Sequence, residues 1–312
     1  MSQMDNNAHK LQIRLMGTII DVTIFHEKPE PILAEVERLL YRYECRFSAN
    51  RPDSELMAIN DQAGVSSVSV HPDLYELIRL GKAHSCVSGS NLNIAIGPLI
   101  QLWRIGFADA RKPTDEEISA CLDIINPENI ILNDDQLSVF LAQKGMKIDL
   151  GALAKGYIAD KILAYLKGVG VQSALINLGG NVLTMGNAPH QVDGFWRIGI
   201  QNPAKKRGEN SLVLPIRDQS VVTSGVYERT LTIDGETYHH IFSSETGYPV
   251  QSELASLTII AQKSVDCEIW TTRLFGKKLP EIMGQVAVTQ GIEAIAITTD
   301  GNIYQSFSKS SF

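Results

Sequence analysis

Residues 147–160, Lys-Ile-Asp-Leu-Gly-Ala-Leu-Ala-Lys-Gly-Tyr-Ile-Ala-Asp, switch periodicity half-way and so constrain what the chain can fold into. Met146, Ile148 and Leu150 alternate as a short strand does, whereas Leu153, Ala154, Ile158, Ile162, Leu163 and Leu166 recur at helical spacing. The chain is expected to turn from strand into helix at Gly151-Ala152. Such a junction leaves the first N–H groups of the helix unpaired, and their partial positive charge suits an anion, a phosphate above all. Lys155 falls in the first turn, where a cation gains nothing from the helix dipole, and Asp149 ends the strand as a carboxylate just before it. An ordinary helix start carries its charges the other way round. A solvent-facing lysine and a capping aspartate account for the same window, so the other motifs must decide.

The remaining sequence narrows the class. At 312 residues the chain suffices for one large or two ordinary domains, and 44% hydrophobic with 20% charged residues reads as soluble and globular. A net charge of −7 argues against sequence-independent nucleic-acid binding, which needs a basic face. Cys45, Cys86, Cys121 and Cys267 are far apart with no C-x-x-C pair, which indicates neither a zinc site nor a disulfide framework. Residues 1–10 are read as a disordered polar amino terminus without an apolar signal core. No later run reaches the roughly 18 apolar residues of a membrane helix. These features predict a cytoplasmic protein with no membrane insertion.

Along the chain, residues 11–25 read as a first strand or hairpin through Met16-Gly17-Thr18, and Ile32 to Tyr43 as a helix ending near Cys45. A polar segment, 46–56, leads into a short helix to Asn60 with Asp53 or Ser54 as its cap. Leu74 to Ala83 carry another helix, and the Gly-rich loop 88–97 runs into a helix that includes Trp103. Residues 104–145 are expected to be peripheral: a helix near 114–123 capped by Thr114, then a hairpin turning at Asn133-Asp134-Asp135. Ser173 to Asn177 is a strand entering Gly179-Gly180, where a positive φ, a close ligand or a β-bulge each explains the pair. Trp196 to Ile200 is a strand, 203–210 a charged loop, and Ser220 to Val222 a strand. Thr230 to Ile233, Asp234-Gly235 and Thr237 to Phe242 form the clearest hairpin. It carries His239 and His240 side by side, so only one can face a given side of the sheet. Leu257 to Ala261 is a strand, Cys267 to Phe275 a helix, and Ala294 to Tyr304 a closing hairpin.

Glu268 and Thr272 lie four apart on one helix, with Thr271 beside them, so a carboxylate and a hydroxyl share a face. With waters and phosphate oxygens such a pair suits Mg²⁺, although on its own it is an ordinary helix surface. Together with the loop-to-helix anion site and a histidine near the turn Glu245-Thr-Gly-Tyr-Pro249, it supplies the parts for pyrophosphate cleavage or phosphoryl transfer.

Five ordered motifs carry a family resemblance: Gly97-Pro-Leu-x-x-x-Trp, Asp149-Leu-Gly-Ala-Leu-Ala-Lys-Gly-Tyr, Asn177-Leu-Gly-Gly-Asn, Thr223-Ser-Gly-x-Tyr-Glu-Arg and His240-Ile-x-x-x-x-Thr-Gly-Tyr-Pro. They resemble motifs of the ApbE family of flavin transferases, over residues 16 to about 300. The resemblance implies an α+β (mixed α/β), T-fold-related fold over residues 11–312, one domain of two lobes with the active site in the cleft between them. It implies FAD as substrate, Mg²⁺ as cofactor, and transfer of the FMN moiety through a phosphoester bond to a threonine or serine of an acceptor flavoprotein. Position by position, it assigns Met16, Asn91, Leu92, Asn93, Asp149, Lys155 and Phe242 to the FAD site. It assigns the Ala152 carbonyl, Glu268, Thr271 and Thr272 to the metal, and His240 to the base that deprotonates the acceptor hydroxyl.

Departures from the family pattern bear on the outcome. The family usually has Asp at the positions of Asn93 and Glu268, and Asp-Pro where this chain reads Ser243-Ser244. Asn50 falls where many members carry an aromatic that could stack on the adenine, a contact worth roughly 1 to 3 kcal/mol. Three readings therefore stand: an FMN transferase, a Mg²⁺-dependent FAD pyrophosphatase yielding FMN and AMP, and a flavin-binding protein without catalysis.

Overall fold

The computed structural model describes residues 7–307. Strands β1 (His9–Leu15) and β2 (Thr18–Phe25) form a hairpin whose turn residues Met16 and Gly17 have φ of 52° and 70°, the left-handed pair that matches strand twist. The expected disordered amino terminus is corrected in part. His9 and Lys10 pair with Ile24 and Thr23 and so belong to β1, while residues 1–6 lie outside the described residues. Helices α1 (Pro29–Phe47) and α2 (Glu55–Asp61) follow, and Ser54 is the α2 cap, accepting from Met57 N. Next come β3 (Val68–Ser69), α3 (Pro72–Ser85), α4 (Gly97–Trp103) and α5 (Asp115–Leu122), the last closed by a Thr114/Glu117 capping box. β4 (Ile130–Asn133) and β5 (Ser138–Leu141) make the small hairpin, α6 (Ala154–Gly168) the central helix. The chain continues through β6 (Ser173–Leu178), β7 (Asn181–Met185), β8 (Trp196–Gln201), β9 (Asn210–Ile216) and β10 (Ser220–Gly225). It then forms the hairpin β11 (Thr230–Ile233) and β12 (Glu236–His239), and β13 (Leu254–Ala261). Helices α7 (Ser264–Leu274) and α8 (Leu279–Val288) and the pair β14 (Ile292–Thr298) and β15 (Ile303–Gln305) complete it.

Eight strands make one sheet in the order β1-β2-β6-β7-β10-β13-β14-β15. Alternation sorts the residues of its second half. Val222, Leu257, Ile259, Ala294 and Ala296 face α7 and α8, whereas Val221, Ile260, Ile295 and Ile297 face the β8–β9 hairpin. With both faces covered, every residue of β13 is buried. The first half packs α1, α2, α3 and α6 into a larger core, which Val265 and Ile269 of α7 also enter. The two halves meet where β7 and β10 share two register pairs, Leu183 with Ser220 and Val182 with Val221. Over this seam α6 lies on α7 at Gly156, where a Cβ would stand 2.6 Å from Ser264 O. Among the described residues no helix is long and apolar enough to cross a membrane.

Local expectations change in several places, and strands β3 and β7 form where no strand was expected. Met146, Ile148 and Leu150 are buried but extend no further than an isolated parallel bridge of Lys147 with Ile96, because on the other side the side chain of Asn60 takes the place of a neighbouring strand. Its Oδ1 accepts from Ile148 N at 2.7 Å and its Nδ2 donates to Ile148 O at 3.0 Å. Strand β9 and helix α8 arise where no element was expected, the first despite Pro215 and the second despite Pro280 and Gly284.

Candidate active site

The seam gathers a polar cluster. Glu268 on α7 is buried at 4% exposure, and its Oε1 receives Lys155 Nζ of α6 and Asn181 Nδ2 of β7, each at 3.0 Å. Lys155 is thus neither solvent-facing nor idle. Asp160, one helical turn further along α6, caps α7: its two oxygens accept from Ser264 N at 2.8 Å and Val265 N at 3.0 Å. Burial nevertheless pushes the Asp160 carboxyl up to about 6, with the two N–H groups opposing. Thr271 is buried and donates to Glu268 O at 3.0 Å, and Thr272 is half-buried on the Glu268 face of the helix. Ala152 lies half-buried in the turn that precedes α6. No side chain caps α6, since Asp149 Oδ1 instead accepts from Gly151 N at 2.7 Å within its own turn. The surrounding protein pushes the Asp149 carboxyl up, against the Gly151 N–H and the charge of Arg229.

The two adjacent histidines have separate fates. His239 is fully engaged: Nε2 lies 3.0 Å from Val250 O and Nδ1 accepts from Ile241 N at 3.2 Å. His240, just beyond β12, has Nδ1 at 3.3 Å from Arg229 O, and a carbonyl can only accept, so Nδ1 carries the proton. Its Nε2, with no hydrogen bond among the described residues, keeps a lone pair available. Burial first, then the charge of Arg229, with smaller contributions from His239 and Lys155, push the imidazole down to about 4. His240 is therefore neutral at pH 7.

The loop residues divide. Asn91 N donates to Arg273 O of α7 at 3.2 Å, while Asn91 Nδ2 is buried without a partner among the described residues, a donor available to a bound acceptor. Leu92 is buried. Asn93 is consumed by the fold: Nδ2 donates to Ile125 O at 2.8 Å and to Ser244 Oγ at 3.2 Å, and Oδ1 accepts from Ala95 N at 2.8 Å. Phe242 is likewise interior, 5% exposed and 5.8 Å from Trp103 between ring centroids. Met16 and Arg51 are joined through a carboxylate, Glu44, which accepts from Met16 N at 3.0 Å and pairs with Arg51 at 3.7 Å; exposed Asn50 precedes Arg51, and its N donates to Ser48 Oγ at 3.2 Å. The fold brings Lys155, Glu268, Asn181 and Thr272 together, and the charge of Lys155 reaches His240. Phe242 and Asn93 are instead engaged in the packing and hydrogen bonds of the fold.

Among the described residues no group of three or more His, Cys, Asp or Glu side chains could hold a metal. The donors that remain, the Glu268 carboxylate, the threonine hydroxyls and the Ala152 carbonyl, are all oxygens. Such a set fits Mg²⁺, which binds through one or two carboxylates and completes its shell with water and substrate phosphate. That Glu268 already sits against the ammonium of Lys155 indicates a place built for positive charge. Asn181 and Asp160 carry no charge or spacing signal of their own, although Asn181 closes the Asn177-Leu-Gly-Gly-Asn motif and Asp160 ends the 147–160 stretch. Their signal lies in context: the pairing of a glycine turn with a buried polar residue, and a carboxylate one turn beyond Lys155.

The ApbE family model matches residues 16–296. A Klebsiella pneumoniae (strain 342) protein named FAD:protein FMN transferase is 41% identical over 302 residues, covering 97% of this chain and 93% of its own. A Treponema pallidum (strain Nichols) protein of the same name is 34% identical, covering 94% and 85%. The crystal structure of the ApbE protein from Thermotoga maritima superposes with a TM-score of 0.86 at 26% identity, covering 96% of this chain and 97% of that one. The chain belongs to the ApbE family.

Proposed function

We propose that this chain is a Mg²⁺-dependent FAD:protein FMN transferase, working in the cytoplasm on a threonine or serine of an acceptor flavoprotein. The observation that carries the reading is the neutral His240 with a free Nε2, within electrostatic reach of the Lys155–Glu268 pair. In the transfer, His240 Nε2 takes the proton of the acceptor hydroxyl while its oxygen forms a bond to the phosphorus of the FMN half. The bond from that phosphorus to the AMP phosphate breaks, and AMP leaves with the electron pair. Lys155 turns its ammonium to the pyrophosphate, and the unpaired Asn91 Nδ2 donates to the nucleotide. Glu268, Thr271, Thr272 and the Ala152 carbonyl would hold Mg²⁺, which when bound would supply positive charge beside the pyrophosphate. Incubation with FAD, Mg²⁺ and an acceptor flavoprotein should give covalent FMN and one AMP per flavin attached. Absence of covalent flavin with AMP still released would refute transfer and leave hydrolysis.

Asn50 supports hydrolysis as a second activity of the same site. It is exposed and polar and precedes Arg51, which Glu44 joins to Met16. Water has access there that an aromatic wall would deny. Asn50→Tyr is expected to lower acceptor-free AMP release about 10-fold and to raise covalent FMN transfer. Equal AMP release from both variants would remove Asn50 from the partition.

A further inference from the structure

Asn181 opens β7 directly after two positive-φ glycines and is 2% exposed. Its carboxamide reaches two residues of α7: Nδ2 donates to Glu268 Oε1 at 3.0 Å and Oδ1 accepts from Ser264 Oγ at 2.7 Å. Ser264 is wholly buried, and its hydroxyl lies 3.0 Å from Ser220 Oγ of β10, which in turn reaches Val182 O at 2.9 Å. A polar cluster from β7, β10 and α7 thus lies where water has no access: Ser264 donates to Asn181 Oδ1, and the one proton of Ser220 goes to either Ser264 Oγ or Val182 O. The carboxylate on one side and the hydroxyl on the other decide which end of the amide is which. The reversed amide would set its oxygen against Glu268, acceptor against acceptor.

We infer that Asn181 is a positioning residue that fixes the rotamer of Glu268, holding Oε1 inward and leaving Oε2 for the cation. The inference rests on the reading of Glu268 as the carboxylate that holds the metal. Lys155 shares Oε1, but its side chain is 29% exposed and long enough to follow an anionic substrate. Asn181 is short and enclosed, so it remains when Lys155 leaves. As a neutral donor it also preserves the full negative charge of Glu268, which a permanent second cation would cancel.

The test uses Mn²⁺ as probe on the FAD-free protein, with free Mn²⁺ counted by electron paramagnetic resonance. Asn181→Ala is expected to weaken Mn²⁺ binding about 10- to 100-fold. The Mg²⁺ concentration for half-maximal AMP release should rise by a similar factor, while FAD affinity measured without metal stays unchanged. Ser264→Ala keeps the carboxamide but removes the hydroxyl that orients it. A loss of about 3-fold, the worth of one neutral hydrogen bond, is expected there, and this variant carries the test should Asn181→Ala fail to fold. Glu268→Gln is measured alongside. Mn²⁺ binding lost in Glu268→Gln yet unchanged in the folded Asn181 or Ser264 variant would overturn the positioning role and leave the metal reading intact. Mn²⁺ binding unchanged in Glu268→Gln would overturn the metal reading and the inference with it.

Discussion

Burial disfavours the charged imidazole of His240, and the charge of Arg229 and, less, that of Lys155 add to it, so the ring is held neutral far below the ordinary imidazole range. The sign follows directly. A base whose folded pKa is about 4 remains deprotonated as pH falls from 7, so transfer should persist through pH 6 and 5 and fail only toward pH 4. The acid limb of kcat/KM for FMN transfer, measured against one acceptor, checks this. A limb near pH 6.5 would remove His240 as the titrating base. Because the shift is downward, the same group contributes stability above the ordinary value that is lost as pH falls toward 4. Replacing His240 by Asn should lower transfer about 10²- to 10⁴-fold with FAD affinity retained. Lys155→Ala leaves Glu268 buried with one donor fewer. The expected outcome is at least about 10-fold weaker FAD binding by fluorescence titration, since a charge-assisted contact to phosphate is worth roughly 1.5 to 3 kcal/mol. At this scale the sequence revealed the residue types and largely missed their partners. Lys155 and His240 stand out from charge and motif, whereas Asn181 and Asp160 act through residues 87 and 104 positions away, which periodicity does not encode.

Helix α7 is oriented from outside itself. It has no side-chain cap on its own Lys263, and Asp160 of α6 supplies both acceptors to its first turn. Holding that carboxylate among buried groups raises its pKa to about 6, so the native state binds a proton more readily than the unfolded chain between about pH 4 and 6. Its contribution to stability is fully present below pH 3.8 and lost as pH rises through 6. Asp160→Asn, which cannot ionise, should therefore gain on the wild type as pH rises from 4 to 7. A change of about 1 to 2 kcal/mol in the difference between the two proteins is expected by thermal unfolding. A pH-independent difference would mean that Asp160 titrates normally. Elements with strong local signals were legible: the β1–β2 and β11–β12 turns, the Ser54 and Thr114 caps, and the α6 stripe. The failures share a cause in tertiary context. Pro215 sits in β9 because that strand pairs only with β8 and lies over the large sheet, and α8 accepts Pro280 in its first turn, where the missing N–H costs nothing. Residues 146–150 alternate as a strand would because they are buried, but their backbone makes only a single parallel bridge, Lys147 with Ile96, and the groups of Ile148 on the other side are met by the side chain of Asn60, 88 residues away.

Across the whole molecule the site lies on the line where two cores meet. Lys155 and Asn181 come from the side built on β1, β2, β6 and β7, and Glu268 from α7, which enters that core through Val265 and Ile269 and the other, with β13, β14 and α8, through Cys267 and Leu274. Two register pairs between β7 and β10 would hold the halves only weakly, so the α6–α7 contact at Gly156 and the polar cluster beneath it do much of the joining. A ligand held at this place contacts both halves and stabilises their union. Calorimetry of the protein alone should show one unfolding transition, because the sheet runs unbroken through the seam. FAD with Mg²⁺ at about 100 times Kd should move that transition upward as a whole, by about 2.7 kcal/mol of ligand linkage. Gly156→Val places a side chain where even a Cβ lies 2.6 Å from Ser264 O and 2.8 Å from Glu268 Cγ, and α6 must lift from α7. That variant should unfold in two steps, with the FAD-dependent shift reduced in both. Two transitions in the wild type, only one of them moved by FAD, would place the ligand within a single half and contradict a site shared across the seam.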